Sequence, residues 1–396
     1  MALPFHSFLF VFVSRYNLIK DRTVLEYKNF NQDQPYQFAM YNMNYMSRDV
    51  RWHNQDKLDA IQEDITIASL QSFAPLLLQR AFCEAMVHGN ISNKEAKDLL
   101  THFEKSIGMK ELCSGQLARQ RCIQFPPSAG GKSHVHRQLG FDPENPESAI
   151  QSSYQINPNT FTASSASASS TTTTTTTTSA DTQLKMGAVL AVLSHLMEEP
   201  CYDQLRTKEQ LGYMVWSGSS KTYGIYSLWF VIQSTERGPA YLDNRIEHFL
   251  TLFYNEKLLN MDAETFQSNV QACILTATKK DTSLYAQAGR FWKEIEATSC
   301  MFNRKFIAAE VLATVTHADV LSLFENSIKK DGGKRAKVSA HIVGKGHGEV
   351  DDPLFAAQQD AGAILVGSDI VSMDGFKSRS ALFPPVAPFV AASKAV

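Results

Sequence analysis

The sequence predicts two α+β domains, on the basis of its length, its apolar content and the order of its elements. With 396 residues, the chain is long enough to form two cores of ordinary size. Hydrophobic residues make up 44% and charged residues 20%, which is typical of a globular protein. Helical and strand-like patterns follow one another without the regular βαβ alternation of a doubly wound sheet. Helices are therefore expected to cover one face of a sheet.

The first predicted domain, residues 17–124, reads as a helix, a strand and a second helix. The first helix has one apolar face, formed by Leu70, Phe73, Leu76 and Leu77. The apolar run Phe82–Ile91 ends in His-Gly-Asn, which is typical of a strand closed by a turn. Ser92, followed three residues later by Glu95, predicts the capping box of the second helix.

Residues 125–182 predict a linker that contains one strand and a low-complexity insertion. Pro126–Pro146 is rich in Pro, Gly, Ser and His, as expected of an inter-domain loop. Ala149–Ile156 alternates apolar and polar residues and predicts a strand. Asn157–Thr182 includes the run Thr171–Thr178 and lacks core-forming residues, which predicts disorder. We expect function to survive deletion of this insertion.

The last predicted domain, residues 183–396, has the clearest pattern. Leu184–Glu198 reads as a largely buried helix, and Tyr213–Gly218 with Ile225–Gln233 reads as a hairpin joined by Ser-Ser-Lys-Thr-Tyr-Gly. Several helices follow, and Lys337–Val343 predicts a final strand. This order predicts an α+β sandwich with one sheet face covered.

Composition and cysteine spacing argue against several classes of function. The formal net charge is -2, and the basic residues are scattered, so no nucleic-acid partner is predicted. None of the six cysteines lies in a CxxC pair, and their spacing fits no zinc ribbon or finger. The cysteines are therefore predicted to be free thiols in a reducing compartment.

The two ends of the chain give weak information about location. Residues 1–16 begin apolar but lack a basic n-region, are too short to span a bilayer and make a poor secretory signal. We treat them as a separate, atypical segment. Ala392–Val396 resembles a peroxisomal Ser-Lys-Leu address but does not end in leucine. We predict a cytoplasmic protein without a membrane partner, and a peroxisomal or other organellar location stays open.

Two segments contain candidate metal ligands, and neither supplies the set of ligands that a catalytic zinc ion needs. His195 and Glu198 lie one helical turn apart, but an inverted zinc motif needs a second histidine where Glu199 stands. His134 and His136 lie in the predicted linker, and a flexible loop without a carboxylate neighbour is a poor catalytic site. We therefore predict no metal ligand in this chain.

Arg206 and Tyr213 are the candidate functional pair. They are seven residues apart, so a helix continued through both would place them on one face. Gly212 permits a sharp exit into a strand, which would project Tyr213 from the strand start. On chemistry alone, an arginine and a tyrosine at a helix-to-strand junction are commonplace.

The run Leu205–Tyr213 (LRTKEQLGY), preceded by Glu199–Cys201, resembles the C-terminal half of insulin-degrading-enzyme-like peptidases. These are inverted zincins of the pitrilysin family. The likeness covers roughly residues 17–390 and is interrupted by the threonine-rich insertion. Further matching segments are Gln34–Tyr36, Ala39–Tyr41, His88–Ile91, Ile232–Ser234, Tyr241–Leu242, Arg245–Glu247, Phe291–Trp292, Lys337–Ser339, Phe376–Lys377 and Leu382–Pro384.

The resemblance implies a fold and a division of labour. Family members consist of four related α+β sandwich domains, each a mostly antiparallel sheet with helices packed on one face, and two halves close around a peptide. This chain would hold a truncated third domain, residues 17–124, and the fourth domain, residues 183–396. The N-terminal half of the family carries the His-x-x-Glu-His zinc site. The resemblance implies that Arg206 holds the substrate backbone and that Tyr213 stabilises the developing oxyanion.

The function implied by this resemblance is the peptide-binding C-terminal half of a zinc metalloendopeptidase that degrades short peptides. Because His-x-x-Glu-His is absent, the chain is expected to be inactive alone and to act with an N-terminal half, in cis or in trans. Zinc is expected only in that missing half. Two alternatives remain: a non-catalytic regulatory module that binds peptides or a peptidase, and a truncated gene product of a longer enzyme.

Overall fold

A computed structural model describes residues 13–77, 79–127, 132–158, 179–367 and 370–386. The predictions for Thr171–Thr178, for most of residues 1–16 and for Ala392–Val396 lie outside these residues. Two compact units alternate along the chain. Unit 1 takes its described residues from Met1–Gln32, Arg51–Gln120 and Asp281–Cys300. Unit 2 takes its described residues from Asp33–Val50, Arg121–Lys280 and Met301–Val396.

The described α-helices are numbered here in chain order. They are α1 (Val13–Phe30), α2 (Pro35–Ser47), α3 (Asn54–Asp59), α4 (Ile67–Leu77), α5 (Asn93–Ile107), α6 (Ser179–Cys201), α7 (Pro239–Leu252), α8 (Ala263–Thr278), α9 (Leu284–Glu296), α10 (Arg304–Leu312), α11 (His317–Ser327), α12 (Gly348–Asp360) and α13 (Ile370–Arg379). Within the described ranges no single helix is both long and apolar enough to cross a membrane. Together α10 and α11, bent by 99°, meet the length and composition criteria.

The described strands are numbered in the same way. They are β1 (Arg80–Ala81), β2 (Lys110–Glu111), β3 (Ser133–Leu139), β4 (Ser148–Ile156), β5 (Met214–Thr222), β6 (Ile225–Ser234), β7 (Lys337–Val343) and β8 (Ala363–Gly367). Helices and one large mixed sheet coexist, so the predicted α+β class is confirmed.

Unit 1 is predominantly helical. Its predicted helices are confirmed as α4 and α5, and the capping box at the start of α5 forms as expected. The Ser92 side chain accepts a hydrogen bond from the Glu95 amide, and the Ser92 amide donates to Glu95 Oε2 at 2.8 Å. Each bond satisfies an amide that has no partner within the helix.

The strand predicted over Phe82–Ile91 is wrong. Among the described residues of unit 1, only Arg80 and Ala81 pair, in parallel with Lys110 and Glu111. The following residues lack a ladder partner among the described residues, and Phe82 remains 54% exposed. A strand needs a neighbouring strand for its backbone groups, and unit 1 supplies a partner for two residues only. Among its described residues, unit 1 therefore contains a two-stranded parallel sheet and not the mostly antiparallel sheet predicted for the first domain.

Unit 2 contains a six-stranded sheet with the order β5-β6-β4-β7-β3-β8. Pairing is antiparallel from β5 through β6 and β4 to β7, and parallel from β7 through β3 to β8. The predicted strands Ala149–Ile156 and Lys337–Val343 are confirmed as β4 and β7. Most neighbouring strands are antiparallel, as predicted.

The assignment of Pro126–Pro146 to a linker is wrong in its middle. Ser133–Leu139 forms β3, an interior strand between β7 and β8. His134 and His136 are buried there, and Val135 is fully enclosed. The histidine and serine content suggested a loop because the partner strands of β3 lie some two hundred residues further along the chain.

The main core of unit 2 fills one face of the sheet. It joins β4 and β6 to α6, α7, α8 and α11, so the predicted buried helix Leu184–Glu198 is confirmed within α6. The second face is also covered, in part, by α2. The Tyr36 amide donates to Gln233 Oε1 at 3.0 Å, and Gln233 points away from the core neighbour Ile232.

The predicted hairpin is confirmed, but its turn is shorter than the sequence suggested. Only Tyr223 and Gly224 lie between β5 and β6, and both have positive φ, 44° and 83°. This is the geometry of a tight type I′ turn. The preceding Ser-Ser-Lys-Thr residues belong to β5. Small polar residues are tolerated there because β5 is the outermost strand of the sheet.

Buried charges connect α7 to the sheet. Lys337 Nζ on β7 contacts carboxylate oxygens of Asp243 and Glu247, each at 2.7 Å. Arg335 also pairs with Glu247, and the Tyr154 hydroxyl donates to the same carboxylate at 2.8 Å. Burial opposes ionisation of Asp243, but the Lys337 charge outweighs it and holds the pKa of that carboxyl below its ordinary value. The network is ionised and charge-balanced.

Candidate functional site

The candidate site lies where α6 leaves the helical layer and the chain enters β5. After α6 the chain makes a π-helical turn, Tyr202–Lys208, and Gln210 then reverses the chain with φ 52°. Leu205 and Leu211 are buried, and the Leu211 amide donates to the Leu205 carbonyl at 3.1 Å. The segment is therefore anchored to the core on both sides of the bend. The helix does not continue to Tyr213, so two straight helical turns do not describe the motif.

Gly212 makes the sharp exit possible, as predicted. A Cβ atom at this position would lie 1.9 Å from the Gln233 carbonyl oxygen of β6. Real Cβ atoms do not approach a backbone oxygen so closely, so any larger residue would push the start of β5 away from β6. Gly212 thereby fixes the backbone from which Tyr213 projects.

Replacing Gly212 by alanine is expected to destabilise unit 2 by about 3 kcal/mol, because the added methyl group overlaps backbone rather than a flexible side chain. Urea unfolding measures the change. Gly333→Ala is the matched control, since a Cβ there meets nothing within 4 Å and its effect should stay below about 1 kcal/mol. Equal effects of the two substitutions would show that Gly212 is not sterically required.

Arg206 and Tyr213 meet in space. The Arg206 guanidinium carbon lies 4.7 Å from the Tyr213 ring centroid and 4.7 Å from that of Tyr202. Two cation–π contacts therefore link the arginine to both aromatic rings. Tyr213 is 81% exposed. Among the described residues neither the guanidinium of Arg206 nor the hydroxyl of Tyr213 has a hydrogen-bond partner, so their polar groups are available to a ligand.

Glu209 attaches the C-terminal end of the π-helical turn to α7. Its two carboxylate oxygens accept from Arg245 Nε at 2.6 Å and Nη2 at 2.8 Å, a bidentate pair with α7. Gln204 Nε2 also donates to Glu209 at 2.8 Å. Burial opposes ionisation, but the hydrogen bonds from Arg245 and Gln204 outweigh it and lower the pKa of Glu209. The sequence motif included Glu209, but did not reveal this anchoring role.

Replacing Glu209 by glutamine is expected to lower the free energy of unfolding by about 1.5–3 kcal/mol at neutral pH. Because the folded pKa is depressed, this contribution is complete above the ordinary value of 4.5 and is lost as pH falls through the folded pKa. The unfolding curves of the original chain and of Glu209→Gln should therefore differ at neutral pH and coincide at acidic pH. Asp203→Asn removes an exposed pair with Lys208 and should change stability by less than about 1 kcal/mol at either pH.

The histidines considered as metal ligands do not assemble a site. His195 and Glu198 are exposed on α6, where they line a cavity of about 400 Å³ away from Arg206. His134 and His136 lie in the interior strand β3, and burial lowers the pKa of His134. Within the described ranges no group of three or more His, Cys, Asp or Glu side chains is arranged to hold a metal ion. These residues do not fit a zinc site.

In sequence and in fold, the chain is similar to the C-terminal part of M16-family peptidases. The family model described as "PQQ synthase PqqF-like, C-terminal lobe domain 4" matches residues 192–292. In fold, the chain is similar to the crystal structure of pitrilysin, with a TM-score of 0.73 at 17% identity. That match covers 95% of this chain and 36% of pitrilysin.

The relatives found by sequence comparison are more similar to this chain in sequence than pitrilysin is. The chain is 31% identical to the insulin-degrading enzyme of Bos taurus over 393 residues, which covers 95% of this chain and 35% of the relative. It is 28% identical to the putative zinc protease mug138 of Schizosaccharomyces pombe, covering 83% and 31%. The predicted resemblance to insulin-degrading-enzyme-like peptidases is confirmed. The chain spans about a third of the length of these relatives.

Proposed function

We propose that this chain is the peptide-binding part of a zinc metalloendopeptidase that degrades short peptides. In this proposal residues 17–124 correspond to a truncated third domain and residues 183–396 to the fourth. The observation that carries the proposal is the pairing of Arg206 with an exposed Tyr213, on a segment anchored by Leu205, Leu211 and Glu209. A rigid segment that presents unused donors suits an extended peptide backbone.

Arg206 is proposed to bind the substrate backbone. A guanidinium has five N–H donors and no acceptor, so it suits the row of carbonyl oxygens along an extended peptide. The rings of Tyr202 and Tyr213 contact the guanidinium, and its N–H groups have no partner among the described residues. The arginine is therefore oriented before the peptide arrives, which reduces the entropy lost on binding.

Tyr213 is proposed to stabilise the charge that develops on the scissile carbonyl. Its hydroxyl can donate a hydrogen bond to the oxyanion of the tetrahedral intermediate, and the adjacent positive charge of Arg206 favours negative charge at that point. Such a donor contributes mainly in the transition state, because the ground-state carbonyl carries less charge. Tyr213 would therefore affect turnover more than peptide affinity.

The zinc is proposed to come from another polypeptide segment, corresponding to the N-terminal half of the family, joined in cis or bound in trans. When bound there, zinc would supply the activated water that attacks the carbonyl. This division follows from the missing His-x-x-Glu-His motif and from the side chains around His195 and His134, which do not fit the metal. The proposed location remains the cytoplasm.

A complementation assay tests the proposal. The zinc-bearing N-terminal part of the bovine insulin-degrading enzyme is mixed with this chain and a fluorogenic peptide. We expect hydrolysis in the mixture, none with either part alone, and complete loss after addition of a chelator. The bovine C-terminal part is the positive control. If it restores hydrolysis where this chain does not, the proposed role is wrong.

The second candidate is a non-catalytic module that binds peptides or a peptidase. It is motivated by the exposed Tyr213 beside Arg206, since donors on an anchored segment suit peptide binding with or without catalysis. In a binding module, replacing Tyr213 by phenylalanine should leave peptide affinity nearly unchanged and should have no other consequence. A loss of turnover in the complemented mixture would exclude this candidate.

A further inference from the structure

A cavity of about 170 Å³ lies between α7, α12 and the segment that leads into β7. A cavity of about 150 Å³ in another protein holds a benzene molecule, so the space suits a small organic ligand. Neither Arg206 nor Tyr213 is among the described residues that line it. Its walls combine charged groups of α7 and β7 with apolar side chains of α12. The cavity is therefore not part of the proposed peptide site.

Arg335 gives the cavity a buried donor without a partner. The residue is 1% exposed, its Nη2 atom pairs with Glu247, and its guanidinium carbon lies 5.3 Å from the centroid of the Tyr154 ring. The Nε atom is buried and has no hydrogen-bond partner among the described residues. A buried charged donor without an acceptor is costly, so this N–H favours a ligand that brings an acceptor, above all a carboxylate.

Gln358 supplies the complementary group, a buried acceptor. Its Nε2 atom donates to the Ala240 carbonyl and to Asn244 Oδ1, each at 3.0 Å. A flipped amide would set its oxygen against the Ala240 carbonyl oxygen, so the orientation of the amide is fixed. The remaining atom, Oε1, is buried and has no donor among the described residues. It therefore favours a ligand that brings a hydroxyl or an N–H group.

The charged residues around the cavity leave one positive charge in excess. Lys337 and Arg335 are paired with the carboxylates of Asp243 and Glu247. Lys330 also lines the cavity, is exposed, and has no ion-pair partner among the described residues. Three cations and two carboxylates give a net charge of +1. A ligand with a single negative charge would therefore balance the charge of the cavity.

We propose that this cavity binds a small hydroxy carboxylate. The carboxylate accepts from Arg335 Nε and is attracted by Lys330, and the hydroxyl donates to Gln358 Oε1. The short carbon chain lies against Leu354 and Ala357, which contribute the apolar wall. A zwitterion would leave the positive charge unbalanced, and a plain carboxylate would leave the glutamine oxygen without a donor.

Calorimetric titration of the whole chain with small molecules tests this ligand class. Racemic lactate and racemic 3-hydroxybutyrate carry a hydroxyl and a carboxylate at two different spacings. Propionate lacks the hydroxyl, lactamide lacks the charge, and alanine replaces the hydroxyl by an ammonium group. We expect saturable binding of at least one hydroxy carboxylate, in the millimolar range or tighter. The other three should bind at least about tenfold more weakly, because each loses one of the matched interactions.

A variant that fills the cavity provides the second arm. Ala357→Leu enlarges a side chain of the cavity wall and should weaken binding of the hydroxy carboxylate by about tenfold or more. Ala356→Leu is the matched control, because Ala356 is exposed on the same helix and is not among the described lining residues. Its affinity should equal that of the original chain. Alanine and leucine are both good helix formers, so α12 should persist in both variants.

Two neighbouring lysines test the charge. Lys330→Gln removes the unpaired cation at the cavity and should weaken binding by about threefold, as expected for an exposed charge. Lys329→Gln is the control, since Lys329 contacts the Tyr254 ring and is not among the described lining residues. It should leave the affinity unchanged.

Several results would overturn this proposal. Failure of both hydroxy carboxylates to bind would show that the cavity holds only water. Equal affinity for propionate or for alanine would contradict the hydroxyl or the charge assignment. Equal affinities of Ala357→Leu and Ala356→Leu would place the ligand elsewhere, and if Ala357→Leu does not fold, Lys330→Gln decides. None of these measurements depends on peptide binding or turnover, so their failure would leave the proposed function intact.

Discussion

Replacing Tyr213 by phenylalanine is expected to lower kcat of the complemented peptidase by about 10²–10³-fold, with little change in KM. The substitution removes one hydroxyl and keeps the ring, so the contact with the Arg206 guanidinium at 4.7 Å is preserved. Peptide binding should therefore survive, while the hydrogen bond to the developing oxyanion is lost. Steady-state kinetics of the mixture, with a fluorogenic peptide, measure both constants.

Tyr202→Phe is the matched control for this prediction. Tyr202 contacts the Arg206 guanidinium at the same distance, 4.7 Å, but it lies at the start of the π-helical turn, before the bend at Gln210. Its hydroxyl has no proposed role in the chemistry, so kcat should change less than about threefold, within the range of surface substitutions. Equal losses of kcat in the two variants, or a change confined to KM at Tyr213, would contradict the oxyanion role.

Replacing Lys337 by methionine is expected to destabilise unit 2 by about 3–5 kcal/mol. Lys337 is 2% exposed and contacts Asp243 and Glu247 at 2.7 Å each. Removing its charge leaves two carboxylates in the interior, where Arg335 can pair with Glu247 but leaves Asp243 without its main cation. Urea unfolding at neutral pH, followed by circular dichroism, gives the change in free energy.

Lys345→Met tests whether burial is the cause. Lys345 pairs with Glu144 near the surface, where the two side chains are about half or more exposed. An exposed pair is weakened by solvent, so this variant should lose less than about 1 kcal/mol. If Lys337→Met also lowered the free energy of unfolding by less than about 1 kcal/mol, the network would not be the buried, ionised structure described above.

Local patterns predicted the parts of the fold that depend on nearby residues. Ser92 and Glu95 form their capping box, and Lys337–Val343 forms an interior strand, because capping and alternation are encoded within a few residues. The hairpin was also predictable, although its polar strand end was taken for a loop. The residues Ser-Ser-Lys-Thr before Tyr223 were misread because exposure at a sheet edge and exposure in a loop select the same residue types.

Features that depend on distant partners could not be read from the sequence. Ser133–Leu139 was assigned to a linker because β7 and β8, which enclose it, lie far along the chain. The run Phe82–Ile91 looked like a strand but has no neighbouring strand among the residues of unit 1 that the structure describes. A strand is stable only with its neighbours, so an apolar run cannot specify a strand alone.

The candidate site shows the same limit. Resemblance identified Arg206 and Tyr213, but the spacing suggested a straight helix where the structure has a π-helical turn and a reversal at Gln210. The bidentate bond between Glu209 and Arg245 depends on the packing of α7 against this segment. Glu209 lay within the recognised motif, yet only the position of Arg245 assigns its role.

We propose that this chain holds the peptide and that the zinc chemistry comes from another polypeptide segment. The most direct measurement follows a fluorogenic peptide incubated with the purified chain in the presence of added zinc. We expect that the peptide binds, that no product forms, and that a chelator changes neither result. Formation of product by the chain alone, abolished by the chelator, would contradict the claim.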